Sequence, residues 1–293
     1  MDAHNSAGPG RSMGWWLVAT CFLLSGFAGL LYETVWLRQF ATVFGTSEAA
    51  LGAVLAASMG GLALGAGISS RYAKRICRPV LAYGLLELGV AVGALLVPFG
   101  LQVANGLRIW MCGGQPELPV AGGVVEILTD SLLVFVLVLL PTGCMGATLP
   151  MLARHVVSDQ RDTGRIGLLY GINTFGAVFG TLVTAFWLVP SLGLQATVFA
   201  GAGINVVVFA LAATLQKTLP TTSNEPVAAN EIPDSDSSFH TRTKLEQSTR
   251  TPSLAVLALL IGFASTAAFT YEVLWTRLLG QVLGGSLFAF ATM

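Results

Sequence analysis

Charge is what this sequence has least of. Asp, Glu, Lys and Arg together make up 10% of its 293 residues, where a soluble domain carries about a quarter. A chain so poor in charge must present most of its surface to something other than water. Acidic and basic residues balance at 15 each, so no basic excess points to nucleic acid. Three histidines (His4, His155, His240) and four cysteines (Cys21, Cys77, Cys112, Cys144) stand apart, without CxxC or any ligand spacing. That argues against a zinc site or a disulfide framework, and the cysteines read as small apolar filler. There is no Walker sequence, no HExxH and no nucleophile–base arrangement. Gly65-Ala-Gly67 and Gly201-Ala-Gly203 do not continue to GxGxxG, and both fall within apolar runs. No catalytic residue, metal or cofactor is expected in this chain.

Apolar length is what the chain has in abundance. Hydrophobic residues make up 54% of it, and they come in continuous runs without period-2 alternation, which selects helices over barrel strands. The first run, from Trp15 to Leu37, is broken only by Glu33 and is too long for a signal-peptide core of about 7–15 residues. The pattern predicts spans over 14–40, 49–70, 80–104, 124–154, 166–190, 194–215 and 253–279, with an eighth opening at 286. Each has the roughly 20 apolar residues that cross a hydrocarbon core. The expected fold is an all-α membrane protein, a polytopic helical bundle in the lipid bilayer.

Basic residues set the orientation. With the N-terminus inside, 12 of the 15 fall on inner segments and only Arg38, Arg108 and Arg277 outside, which predicts a cytoplasmic N-terminus. Residues 1–13 then form a cytoplasmic tail and 14–217 a six-span unit. The stretch 218–252 is rich in Ser, Thr, Asn, Asp, Glu and Pro. It has too little apolar surface to offset ordering entropy, and reads as a flexible cytoplasmic linker. Residues 253–293 hold the seventh span and the start of the eighth.

The chain repeats. Tyr32-Glu33-x-x-Trp36-x-Arg38 recurs as Tyr271-Glu272-x-x-Trp275-x-Arg277, 239 positions later, and Gly45, Ser47 and Ala50 match Gly284, Ser286 and Ala289 at the same offset. An even number of spans separates the copies, so they run in one direction, as in the two parallel halves of a major-facilitator bundle. In that alignment the counterparts of 55–215 are missing, and the chain reads as a fragment. Glu and Arg within each copy stand about 140° apart around a helix, which favours cross-pairs, Glu33 with Arg277 and Glu272 with Arg38. The motif can serve as a gate or ligand site, or as a structural clamp and interfacial belt. Glu87, alone in the third span, is either on a proton or substrate path or a protonated side chain hydrogen-bonded to a neighbouring helix. Asp130 falls near the outer interface. Asn173 is a ligand contact or an interhelical hydrogen bond, and Gly176-x-x-x-Gly180 a packing face. Two prolines and two glycines between Pro141 and Pro150 predict a kink in the fourth span.

Five stretches together resemble the membrane part of fused major facilitator/spermidine synthase-like proteins. They are Ser25-Gly-Phe-Ala-Gly-Leu-Leu-Tyr-Glu-Thr-Val-Trp-Leu-Arg38, Gly60-Gly-Leu-Ala-Leu-Gly65, Met145-Gly-Ala-Thr-Leu-Pro150, Tyr170-Gly-Ile-Asn-Thr-Phe-Gly-Ala177 and Leu188-Val-Pro-Ser-Leu-Gly193. The resemblance implies a transporter-like module for a small molecule, in the plasma (inner) membrane. It also implies a fused soluble aminopropyltransferase-like domain, for which the module could instead be a passive anchor. Nothing in this chain corresponds to that domain. The major-facilitator loop after span two often carries an Asp, and here the stretch is Ser69-Ser70-Arg71.

Overall fold

The computed structural model describes residues 9–44, 48–111, 124–156, 163–218 and 254–283, and these are helical almost throughout, with no strand among them. The helices are α1 (Pro9–Phe44), α2 (Glu48–Tyr72), α3 (Pro79–Met111), α4 (Val124–Val156), α5 (Thr163–Val183), α6 (Val189–Thr218) and α7 (Leu254–Leu283). A 3₁₀ turn, Ala73–Arg75, follows α2, and a wide π turn, Thr184–Leu188, joins α5 to α6. Four stretches are long and apolar enough to cross a membrane: Gly14–Thr42, Pro79–Leu107, Leu132–Ala153 and Gly164–Lys217. The protein is a helical bundle suited to a lipid bilayer. Large apolar side chains on its outside, among them Trp16, Phe99, Phe175, Trp187 and Phe199, are what hydrocarbon contact calls for.

The fourth stretch has 54 residues, more than twice what one crossing needs. It folds back at Gly193, which has φ 79° and ψ 173°. That backbone region is almost closed to residues with a Cβ, so a glycine makes the turn. Gly193 lies in the gap expected between the fifth and sixth spans, 166–190 and 194–215. Pro190 stands three residues before that turn, at the end of the arm that begins with α5.

Residue contacts fix the relative directions. Trp15 meets Arg165 and Phe27 meets Phe179, so α1 and α5 run together. Phe22 packs on Tyr83, and Ser25 faces Glu87, so α1 and α3 also run together. Leu81 meets Gln216 while Glu87 meets Asn205, so α3 and α6 run opposite. Helix α4 opposes α3, with Cys144 beside Gly89 and Leu137 beside Gly100. It accompanies α2, with Thr142 beside Gly61 and Ser69 bonded to the Ala147 carbonyl at 3.0 Å. Helices α1, α3 and α5 therefore point one way, and α2, α4 and α6 the other.

Glycine lets these backbones touch. A Cβ on Gly176 would overlap the Leu23 carbonyl, one on Gly180 the Phe27 carbonyl, and one on Gly26 the Asn173 carbonyl. Gly176 and Gly180 are thus the expected packing face, and α1 is what they pack against. Helix α4 runs through both Pro141 and Pro150. The Pro141 ring lies where a Cβ on Gly93 of α3 would come within 2.9 Å, so the neighbouring helix makes room for it.

Candidate functional site

Two apolar clusters fill the bundle. One gathers Leu31, Tyr32, Val35, Trp36, Val90, Val97, Val138 and Val198, and the other Val18, Phe22, Val80, Tyr83, Leu152, Leu169 and Val208. Polar groups collect where they meet. Glu87, in the third turn of α3, is 1% exposed. Its Oε2 accepts a hydrogen bond of 2.6 Å from Asn205 Nδ2 on α6. Asn205 Oδ1 in turn accepts from the Tyr32 hydroxyl of α1 at 2.8 Å. One amide thereby ties three helices together, using both of its ends.

Further side chains of α1 and α3 close on the carboxyl. The hydroxyls of Ser25 and Tyr83 face it, but Tyr83 donates to the Cys21 carbonyl at 3.1 Å. Glu87 Oε1 is buried and makes no hydrogen bond of good geometry. Tyr83 stands four residues before Glu87, one turn down the same face of α3. No lysine or arginine among the described residues faces Glu87. No group of three or more His, Cys, Asp or Glu among the described residues could hold a metal ion.

The first copy of the repeated motif is split by this geometry. Tyr32 and Trp36 lie in the core, their rings stacked at 5.6 Å and 13°. Glu33 is half-buried at the edge of that face and Arg38 is exposed. In the second copy Tyr271 is 62% and Trp275 53% exposed on α7. The side chains of Glu272, Arg277 and Asp130 lie outside the described residues, and so do both cross-pairs, the eighth span and the expected linker 218–252 except Thr218, which ends α6. Asn173 is half-buried, with its backbone and amide against Gly26. Of the candidate residues, the structure brings together Glu87 and Tyr32, through Asn205, with Trp36 stacked on Tyr32.

Sequence reasoning missed Asn205, Tyr83 and Ser25. A signal existed for two of them. Asn205 is an amide deep in the mostly apolar sixth span, and Tyr83 lies one helical turn from the only acid of the third. No protein-family profile, curated protein or solved structure matches the chain.

Proposed function

We propose that the chain is a transporter-like membrane module, with six spans in a major-facilitator-like first half and α7 opening the second. In this reading it belongs to a protein resembling the major facilitator/spermidine synthase-like fusions, lies in the plasma (inner) membrane, and has its N-terminus in the cytoplasm. The alternating directions of α1 to α6 and the parallel repeat of Tyr-Glu-x-x-Trp-x-Arg support the architecture.

The observation that carries the transport reading is the burial of Glu87 among three helices. An acidic side chain inside a spanning helix is costly, up to about 2.5–3.5 kcal/mol at the helix centre on insertion scales. A leucine would hold α1, α3 and α6 together without that cost, since buried polar pairs rarely outdo apolar packing. What the carboxyl adds is a group able to change charge or bind a solute as the helices move. The rival reading is a rigid anchor for an aminopropyltransferase-like domain, and the glycine-mediated backbone contacts of α1 with α5 favour it. Uptake into proteoliposomes separates the two. Labelled spermidine and a panel of amino acids are the first probes. Accumulation above protein-free vesicles that is lost in Glu87→Ala, with the fold retained, supports transport. Inert vesicles for every probe, in a sample that remains folded, leave the anchor.

A further inference from the structure

We propose that the corner of the bundle where α3 begins and α6 ends binds an anionic phospholipid: Arg78 and Lys217 take its phosphate, and the exposed apolar faces of α3 and α6 take its acyl chains. This goes beyond the transporter-like reading and needs only that the bundle lies in a bilayer.

Contacts between the two helices fix the corner. The Leu81 N–H of α3 donates to Gln216 Oε1 of α6 at 3.3 Å. One turn on, a Cβ at Gly84 would stand 3.0 Å from the Ala212 methyl, so the two backbones run close together. Arg78 lies three residues before Leu81, with its carbonyl accepting the Ala82 N–H at 3.0 Å, and Lys217 follows Gln216 directly. Both side chains are exposed. Two long cationic side chains from neighbouring helices are thereby held at one level. The charge at this end has one sign. Arg71, Arg75 and Arg165 are exposed there too, and Arg75 leans over the Tyr72 ring at 5.7 Å. The acids whose side chains are described lie elsewhere, Glu33 toward the other end of α1 and Glu87 enclosed in the bundle. Clusters of Lys and Arg at the ends of spanning helices attract anionic lipid.

Each of the two cations heads an apolar stripe. Arg78, Leu85, Val92 and Phe99 recur at intervals of seven residues, close to two turns, and so share one face of α3. All four are exposed. Lys217, Ala210 and Gly203 repeat the same interval on α6, also exposed, and Phe199 stands one turn beyond Gly203. Nothing lies within 4 Å of where a Cβ on Gly203 would be, which leaves a notch in that stripe. A soluble phosphate would use the cations alone. Here a hydrocarbon-facing surface runs on from both of them, and the ligand that meets both surfaces has an anionic head and acyl chains.

The test is native mass spectrometry of the full chain released from nanodiscs that mix phosphatidylcholine with phosphatidylglycerol. The wild type should retain phosphatidylglycerol in preference to phosphatidylcholine. The double variant Arg78→Gln/Lys217→Gln should weaken that retention on the order of 30-fold, whereas Arg71→Gln/Arg75→Gln, the same change in charge at the same end, should stay within about threefold of wild type. Should the first pair misfold, Arg78→Lys/Lys217→Arg keeps both charges and should hold the lipid as the wild type does. Neither inorganic phosphate nor glycerophosphoglycerol, the same headgroup without acyl chains, should displace it. Equal retention of the two lipids, equal losses from the two glutamine pairs, loss of the lipid in the charge-keeping pair, or displacement by either soluble phosphate overturns the proposal.

Discussion

The Tyr32 hydroxyl and the Asn205 amide, 173 positions apart, meet at 2.8 Å in the middle of the bundle, and the other end of that amide holds Glu87. Each bond therefore depends on the other for the orientation of Asn205. Tyr32→Phe should cost about 1 kcal/mol, the net worth of one hydrogen bond. Asn205→Leu should cost about 1–3 kcal/mol, because it strands both the Tyr32 hydroxyl and the Glu87 carboxyl. The two together should cost clearly less than their sum. Thermal unfolding of the purified chain in detergent reads all three, and additive losses would show that the three side chains do not act as a unit.

Close backbone contact makes some glycines irreplaceable and leaves others free. Gly176→Ile places a side chain on the Leu23 carbonyl and should destabilise by about 1–3 kcal/mol, the usual penalty for overpacking. Gly171→Ala, five residues earlier on the same helix with nothing within 4 Å, should be silent within about 0.5 kcal/mol. Equal effects of the two in the same melting assay would refute the parallel α1–α5 contact.

At Gly193 the space is open and the backbone is the constraint. Gly193→Ala should lower stability by about 1–3 kcal/mol despite meeting no neighbour. An unchanged melting temperature would mean that the turn between α5 and α6 lies elsewhere.

Topology can be read through Cys77, exposed between Arg75 and Arg78 after α2. In a background without the other cysteines, a membrane-impermeant thiol reagent should reach it only after cells are permeabilised. A cysteine placed at Gln115 should instead react in intact cells. Reversal of both results would turn the protein over in the membrane.

The helices were legible in the sequence because hydrocarbon demands long apolar runs, and nothing in a run such as 80–104 competes with that signal. Glu87 was legible for the same reason, as an acid where acids are costly. Its partners were not. Asn205 is 118 positions away, and no local pattern says which faces of α3 and α6 will meet. The motif on α1 was misleading in one respect. Its spacing does not say which of its residues turn inward: the buried face holds Ala28, Tyr32, Val35 and Trp36, and Glu33 falls at its margin. The join between α5 and α6 was legible at 191–193, after Pro190, and the positive φ belongs to Gly193 within that gap.

That turn also bears on how the protein is made. Pro190, Ser191, Leu192 and Gly193 carry no charge, and no charged residue occurs between Ile166 and Gln216. A hairpin whose tip is neither charged nor long offers little to hold it in water, so α5 and α6 enter the bilayer as a pair. Tyr32 and Glu87 are synthesised before them and wait in an unfinished bundle. Only when the second arm of the hairpin delivers Asn205 do both acquire the amide, which makes the polar junction among the last contacts of the bundle to form. Nascent chains stopped before α6 should accordingly remain open to protease at α1 and α3, and chains carrying α6 should resist it.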